Sequence, residues 1–252
     1  MRIAVAGGTG WIGRLVVEAA RDAGHDVAVL ARSTGVDLVS GTGVTAALRG
    51  ADAVIDVTNT NTLNRAKAQQ FFGTTTRHLL SAGAAHHVLL SIVGIDRVDL
   101  GYYAGKRWQE ELVEASPVPS TILRATQFFE FASQMLAHAA GPFVLAPAML
   151  TQPVAAREVA AELVRIAAGP PRGHATELAG PQKLLMSDLV RQVLRARGLR
   201  RIAVPVRLPG AAGRAQRNGG LLPHGEVRLG QILYAQWLRS ADGRATAPAA
   251  AH

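Results

Sequence analysis

Two side chains in the middle of the sequence, Tyr102 and Lys106, are spaced for proton transfer. They are four residues apart, so on a helix they lie on one face. A tyrosine with an ordinary pKa of about 10 is a weak acid–base catalyst at neutral pH, and a neighbouring ammonium lowers that pKa. Ser91, at the carboxyl end of a preceding apolar run, could hydrogen-bond a substrate oxygen. We therefore predict Tyr102, Lys106 and Ser91 as catalytic residues for acid–base chemistry at a carbonyl group.

The identity of the tyrosine has an alternative. Tyr103 is three residues from Lys106 and lies on nearly the same face, so the spacing leaves open which tyrosine acts, or whether neither does. A tyrosine four residues before a lysine is also a common pattern, and Tyr102 could be an aromatic residue at a helix start. Lys106 is the firmer candidate, because a lysine here could hold the cofactor even in a protein without turnover. It also stands out as one of only three lysines in a chain with 24 arginines.

A glycine-rich turn near the N-terminus predicts a site for a ligand with phosphate groups. The apolar run at residues 2–6 is followed by Gly7, Gly8, Gly10 and Gly13, and then by residues with helical character. This order matches the dinucleotide-binding fingerprint, whose glycines allow a tight turn, close approach of a pyrophosphate and close packing of the helix. Amide groups at the helix start then face the phosphates. The predicted cofactor contacts in this turn are Gly7, Thr9, Gly10, Trp11, Ile12 and Gly13.

The residues after the second predicted strand bear on which dinucleotide binds. NAD-binding proteins usually carry an acid here for the ribose 2′-hydroxyl, whereas this chain has Arg32 and Ser33, and no acid until Asp37. Because an arginine pairs with a 2′-phosphate, NADP(H) is expected in preference to NAD(H). A solvated surface arginine is the alternative. Lys106 is expected to hold the nicotinamide ribose as well.

Two polar residues, Thr58 and Asn59, follow a further apolar run at residues 53–57. Ligands in open α/β sheets bind at the carboxyl ends of the strands. We therefore predict that both residues border the cofactor, with a simple polar turn as the alternative.

Alternating strands and helices position these residues. Apolar runs predict strands at residues 2–6, 26–31, 36–39, 53–57, 87–93 and 121–125, with helices between them. This alternation predicts an α/β fold, a doubly wound parallel sheet of the Rossmann type with a small C-terminal α/β substrate lobe. The expected division is an NADP-binding domain at 1–150, a smaller substrate-binding lobe at 151–240 interleaved with it, and a disordered tail at 241–252.

Composition excludes several classes of protein. The 252 residues include no cysteine, which excludes disulfides, thiol catalysis and cysteine-ligated metals, and we expect no metal site. No apolar run has the length of a membrane span, and the first strand begins at the N-terminus, so we expect a cytoplasmic protein without a membrane partner. Self-association as a homodimer is left open.

The net charge of +9 is concentrated at one end of the chain. Residues 1–190 hold 16 basic and 16 acidic side chains, whereas residues 191–252 hold 11 arginines and two acids. These arginines are scattered, without interleaved aromatic residues or a nucleic-acid motif. We expect a solvated face or attraction of an anionic cofactor or substrate, and no nucleic-acid partner.

Five segments together resemble the NmrA-like, atypical branch of the short-chain dehydrogenase/reductases. They are residues 7–13, 30–32, 90–95, 102–106 and 123–128, and the likeness runs along roughly residues 1–170. The resemblance implies a Rossmann domain that binds NADP(H) and a small C-terminal lobe over the substrate. The family includes NADPH-dependent reductases of quinones, ketones and isoflavone-type aromatics, and also redox sensors that bind the dinucleotide without turnover.

The resemblance and the catalytic set lead to one predicted function and two alternatives. We expect NADPH-dependent reduction of a quinone, ketone or similar apolar carbonyl compound by hydride transfer. Gln127, Phe128 and Phe131 are the predicted substrate contacts, although the phenylalanines could equally be core residues. The first alternative is a non-catalytic NADP(H)-sensing regulator. The less favoured one is an NADP-dependent epimerase or dehydratase of a nucleotide-sugar.

Overall fold

The computed structural model describes residues 1–245, and the remainder of the predicted tail lies outside the described residues. In chain order the elements are β1 Arg2–Ala6, α1 Trp11–Asp22, β2 Asp26–Leu30, α2 Val44–Leu48, β3 Ala53–Asp56, α3 Arg65–Ser81, β4 His87–Ile92, α4 Gly101–Glu114, β5 Ser120–Ala125, α5 Glu130–His138, β6 Phe143–Pro147, β7 Leu150–Thr151, α6 Ala156–Ala167, β8 Gly173–His174, β9 Glu177–Ala179, β10 Leu184–Leu185, α7 Met186–Ala196, β11 Ile202–Val206, α8 Gly210–Arg217, β12 Val227–Leu229, α9 Tyr234–Arg239 and α10 Ala241–Ala245. Helix α10 falls where the sequence predicted disorder, so that expectation is corrected for these five residues.

One compact unit comprises Met1–Ile95, Asp99–Arg124 and Arg157–Thr176. Its strands have the order β2-β1-β3-β4-β5. Strand β1 pairs in parallel with β2 and β3, β3 pairs in parallel with β4, and β8 adds to β5. Every residue of β3 is buried, as expected for a strand covered on both faces. The α/β fold with a parallel, Rossmann-like sheet is confirmed.

Helices cover both faces of this sheet. Ala4 and Ala6 of β1 pack in one cluster with Leu48 of α2 and Leu79 of α3. Side chains alternate along a strand, so Ile3 and Val5 point to the opposite face. Helix α1 packs on β1 and β2, and α6 is joined to α1 by an ion pair between Arg157 and Glu18, with 3.2 Å between Nη1 and Oε1. The doubly wound arrangement follows from this pattern.

The strand predicted at residues 36–39 is absent. This segment forms turns, because Gly35, Gly41 and Gly43 all adopt positive φ angles of 76° to 80°. A Cβ at Gly43 would lie 2.6 Å from the carbonyl oxygen of Gly35, so the turn closes on itself more tightly than a side chain permits. Val36 is still buried in the core, and its apolar character produced the mistaken strand prediction.

The second unit comprises Asp96–Val98, Ala125–Ala156 and Glu177–His252, as far as the chain is described. The two units interleave along the sequence, but they divide at Ala125 rather than at residue 150. Within the second unit β9 pairs in parallel with β12, β6 pairs in parallel with β11, and β7 pairs antiparallel with β10. Phe129, Tyr234 and Trp237 form an aromatic cluster with ring centroids 5.1 to 5.7 Å apart.

Candidate functional site

The glycine turn between β1 and α1 is shaped by a backbone approach that excludes side chains. Gly7 has a φ of 80°, and its carbonyl oxygen accepts a hydrogen bond from the amide of Gly10 at 2.9 Å. A Cβ at Gly13 would lie 2.1 Å from that same oxygen and 2.7 Å from the Cα of Gly8. Glycine at position 13 is therefore required for α1 to begin this close to β1.

The start of α1 carries neither a side-chain cap nor an acidic residue. Gly10 is the N-cap of this helix. The first amides of a helix need an acceptor, and the helix dipole favours an anion there. Together with the tight glycine turn, this end of α1 fits the pyrophosphate of a dinucleotide.

Arg32 and Ser33 are exposed on a short 3-10 turn, Arg32–Thr34, immediately after β2. This turn neighbours the glycine loop, because the amide of Gly7 donates to the carbonyl of Leu30 at 3.2 Å. The carboxylate of Asp37 accepts a hydrogen bond from the Val39 amide at 2.8 Å. That bond, with a smaller effect of Arg32, holds the pKa of Asp37 below its ordinary value. Arg32 is thus in place to meet an anionic group at the end of β2.

Tyr102 lies at the start of α4 and contacts Asn59, not Lys106. Its hydroxyl donates a hydrogen bond to Oδ1 of Asn59 over 2.7 Å. Burial, and to a lesser degree Tyr103, raises the pKa of Tyr102 above its ordinary value. Burial also raises the pKa of Tyr103, to about 12. The expected lowering of the tyrosine pKa by an ammonium is therefore not realised, because the lysine amino group is directed elsewhere.

Lys106 is buried, and its amino group has two protein acceptors. Nζ donates to the carbonyl oxygen of Leu90 at 2.7 Å and to Oε1 of Gln109 at 2.5 Å, and it lies 4.9 Å from the centre of the Phe72 ring. Burial lowers the pKa of Lys106 to about 8. Gly105 explains the depth of this position, since a Cβ there would lie 2.7 Å from the Cβ of Ala68 on α3. The expected contact of Lys106 with a nicotinamide ribose stays a prediction.

A buried carboxylate that the sequence analysis did not single out completes this network. Asp56, at the end of β3, is fully buried. Its Oδ1 accepts from the amide and the hydroxyl of Thr58 at 2.9 and 2.7 Å, and its Oδ2 accepts from Nε2 of Gln109 at 2.9 Å. The signal in the sequence was an acid that ends an otherwise apolar strand. The hydroxyl of Thr58, predicted to border the cofactor, is thus committed to Asp56, whereas Asn59 is exposed.

Ser91 is 2% exposed near the carboxyl end of β4. Among the described residues its hydroxyl has no hydrogen-bond partner. The structure therefore brings Tyr102 to Asn59 and Lys106 to Gln109, but it does not join Ser91 to either of the other predicted catalytic residues. Their catalytic roles stay predictions.

The three predicted substrate residues belong to the second unit. Oε1 of Gln127 accepts a hydrogen bond from the hydroxyl of Thr151 at 2.5 Å, and the backbone of Phe128 forms an isolated bridge to Val154. Phe131 is 36% exposed. An exposed aromatic side chain on α5 is compatible with a contact surface, and the substrate role of all three residues stays a prediction.

Residues 1–245 show neither a metal-binding cluster nor a membrane-spanning helix. No group of three or more histidine, aspartate or glutamate side chains that could hold a metal ion is found in this part of the chain. No helix within it is long and apolar enough to cross a membrane.

Comparison of the sequence with protein families gives one match. Residues 3–93 match the NAD dependent epimerase/dehydratase family. The matched region contains the glycine turn, Arg32 and Asn59, and it ends before Tyr102. No curated protein matches the chain by sequence.

Solved structures share the fold at low sequence identity. A short-chain dehydrogenase/reductase superfamily protein from Agrobacterium tumefaciens with bound NAD is 17% identical, with 96% of each chain covered and a TM-score of 0.70. An NADPH-dependent quinone oxidoreductase from Escherichia coli, complexed with NADPH, is 18% identical, with 88% of this chain and 91% of that chain covered and a TM-score of 0.66. UDP-glucose 4-epimerase from Thermus thermophilus, in complex with NAD, is 17% identical, with 82% and 86% covered and a TM-score of 0.66. Residues 3–93 are thus similar to the NAD dependent epimerase/dehydratase family, and the solved structures show a shared fold, without selecting the NmrA-like branch.

Proposed function

We propose that the protein is an NADPH-dependent oxidoreductase that reduces a quinone or a similar apolar carbonyl compound. The observation that carries this proposal is the glycine turn, where position 13 admits no side chain and the first turn of α1 has neither a side-chain cap nor an acid. Such a backbone suits a pyrophosphate. The similar quinone oxidoreductase and epimerase structures, described with NADPH and NAD, support a nicotinamide cofactor.

The state of Tyr102 favours reduction over a reaction that begins with proton abstraction. Burial raises the pKa of Tyr102, so at neutral pH the phenol keeps its proton and acts as a donor, here to Asn59. An epimerase that starts by oxidising a sugar hydroxyl needs a group able to accept that proton. A buried phenol without a neighbouring ammonium is poorly suited to this role, which disfavours the nucleotide-sugar alternative.

The same phenol favours a quinone over a ketone as the acceptor. NADPH would supply a hydride, which is two electrons and one proton. A ketone then becomes an alkoxide that needs a proton from the protein, a demanding role for a phenol with a raised pKa. A quinone becomes a hydroquinone monoanion, which can take its proton from solvent. Tyr102 would then only need to donate a hydrogen bond to the quinone oxygen.

Arg32 supports NADP(H) as the preferred cofactor, because it is exposed just after β2, where the 2′-phosphate of a bound NADP(H) is expected to lie. Arg32→Ala should raise the Kd for NADPH at least tenfold and leave the Kd for NADH within about twofold, since each lost charged contact is worth about 1.5 kcal/mol or more. Arg21→Ala, in the last turn of α1, is the matched control and should change neither Kd.

A dinucleotide sensor without turnover is the second candidate. The observation that favours it is the engagement of the Lys106 amino group by Leu90 and Gln109, which leaves the predicted catalytic set without its ammonium. A sensor would bind NADPH and NADP⁺ with different affinities and consume neither.

The deciding experiment measures NADPH binding by fluorescence titration and then NADPH oxidation with a panel of quinones and aromatic ketones. We expect binding, and faster oxidation with quinones. Tyr102→Phe should lower turnover of quinones less than turnover of ketones. Gly13→Ala is the negative control for binding, because its Cβ would collide with the Gly7 carbonyl. Binding without oxidation would favour the sensor, and a wild-type protein that binds neither NADPH nor NADH would refute both candidates.

A further inference from the structure

The buried carboxylate of Asp56 lies at a junction of elements that are distant in the sequence. It ends β3, receives two hydrogen bonds from Thr58 and receives a third from Gln109 on α4. The amide of Gln109 also donates to the hydroxyl of Thr76 on α3 at 3.0 Å, and its oxygen accepts from Lys106. Both oxygens of the carboxylate are therefore used to fix β3 and the residues after it against α4.

Thr58, the residue held by Asp56, packs directly on the glycine turn. A Cβ at Gly7 would lie 3.1 Å from the carbonyl oxygen of Val57 and 3.3 Å from the Cα of Thr58. The amide of Val57 also donates to the carbonyl of Ala6 at 3.1 Å. The backbone at residues 57–58 is thus one wall of the turn that fits the pyrophosphate.

The next residue, Asn59, is the hydrogen-bond partner of the Tyr102 hydroxyl. Its Oδ1 also accepts from the amide of Thr60 at 2.8 Å, so the carboxamide is oriented from two sides. The segment that follows rests against the start of α4, since a Cβ at Gly101 would lie 2.1 Å from the carbonyl oxygen of Leu63. A displacement of Thr58 would therefore shift both the backbone wall of the glycine turn and the hydrogen-bond acceptor of Tyr102.

We propose that Asp56 and Thr58 are positioning residues that set the glycine turn and the Tyr102 hydroxyl in one fixed geometry through residues 57–59. The consequence for cofactor binding and turnover rests on the proposed function, whereas the coupling of the two segments does not. Lys106, on this view, serves the same network by holding Gln109, and it acts on the cofactor only through Asp56 and Thr58.

The first test is hydrogen–deuterium exchange of the protein without cofactor. Thr58→Val keeps the shape of the side chain and removes the hydroxyl hydrogen bond to Asp56, while the backbone amide bond is retained. We expect exchange to rise at least threefold in two separate peptides, residues 5–13 and residues 59–64. Thr58→Ser retains the hydroxyl and should restore wild-type exchange in both.

The matched control is Thr75→Val. Thr75 is also fully buried, but its hydroxyl donates only to the Phe71 and Phe72 carbonyls of its own helix. Thr75→Val should raise exchange in neither of the two peptides, even if it lowers the stability of the protein. Equal exchange in Thr58→Val and Thr75→Val, or a rise confined to residues 59–64, would refute the coupling.

The second test uses the cofactor. Thr58→Val should raise the Kd for NADPH about threefold and lower kcat for a quinone about fivefold at an unchanged KM for the quinone, with rescue of both by Thr58→Ser. Asp56→Asn should raise the Kd for NADPH and lower kcat for the quinone by larger factors than Thr58→Val. If wild-type protein binds no NADPH, the proposed function fails while the exchange result still decides the coupling. If wild-type protein binds and Thr58→Val is unchanged in Kd and kcat, the positioning role fails alone.

Discussion

The two units stabilise a buried carboxyl group in opposite ways. In the first unit Asp56 receives three hydrogen bonds from Thr58 and Gln109. In the second unit Glu130 is 3% exposed, and among the described residues its Oε2 has no hydrogen-bond partner. Burial, with a further effect of Asp242, raises the pKa of Glu130 to about 7. Both oxygens of Asp56 therefore have donors, whereas at Glu130 the effect of burial outweighs that of the hydrogen bonds that lower its pKa.

This difference separates a carboxyl that fixes geometry from one that responds to pH. Donors that arrive from fixed backbone and side-chain positions hold Asp56 in one orientation, so the segments attached to it share that orientation. A carboxyl that exchanges a proton near neutral pH instead makes its surroundings depend on pH. The candidate site is built around the first kind.

The arginines show a parallel difference. In the second unit Arg201 donates to the carbonyls of Leu136, Ala139 and Gly141, which close the end of α5, and Arg97 donates to the carbonyls of Gly220 and Leu222. Arg201, one of the 11 arginines of residues 191–252, therefore caps backbone carbonyls at the end of a helix. In the first unit Arg32 is instead exposed on the short turn after β2.

Lys106→Met should have the largest effect on stability. Removing the ammonium breaks the buried network that joins Lys106 to Gln109 and Asp56, and loss of one partner from such a network costs about 4 kcal/mol of unfolding free energy. Urea denaturation measures this change. The double variant Asp56→Asn/Lys106→Met should be destabilised by less than the sum of the single variants. An unchanged stability combined with a tenfold loss of NADPH affinity would instead assign the lysine to the cofactor.

Glu130→Gln should change the pH dependence of stability. The pKa of Glu130 is raised from 4.5 to about 7 in the folded protein, so between these values the folded state keeps a proton that the unfolded state has lost. Its stabilising contribution is full below pH 4.5 and is lost as the pH rises through 7. A shift of this size corresponds to roughly 3 kcal/mol. Urea denaturation at several pH values should show an unfolding free energy that falls with pH in wild type and changes less in Glu130→Gln. An identical pH dependence in the two proteins would contradict the prediction.

Arg201→Ala should have the smallest effect of the three. It removes charge-assisted hydrogen bonds to the carbonyls at the end of α5, which we expect to lower the unfolding free energy by about 1.5 kcal/mol. Arg201→Lys should recover less than half of this loss, because an ammonium lacks the planar fork that reaches several carbonyls. NADPH affinity should stay within twofold of wild type. A larger change in affinity than in stability would place Arg201 among the cofactor contacts.

Much of the first unit could be predicted from the sequence because the decisive signals are local. The strand at residues 2–6, the glycines after it and the helix that follows are specified by neighbouring residues, and the structure has all of them. The strand predicted at residues 36–39 was wrong for a local reason as well, since apolar residues outweighed the three glycines that form turns there.

The partners of the candidate catalytic residues could not be predicted in the same way. Helical spacing correctly gave α4, with Tyr102 and Lys106 on it, but two of the three acceptors that these side chains meet come from the loop after β3 and from β4. The unit boundary at Ala125 is similarly a matter of which segments pack together. Such contacts depend on the packing of helices on the sheet, not on distance along the chain.

The sequence by itself determined the glycine turn, the parallel α/β architecture and the position of an arginine after β2, because each depends on backbone freedom or on a short hydrophobic period. Only the tertiary structure decided that Tyr102 meets Asn59, that Lys106 is buried with Gln109, and that Asp56 links β3 to α4. The physical reason is that burial sets which polar groups must find partners, and a folded interior brings together donors and acceptors from distant parts of the chain.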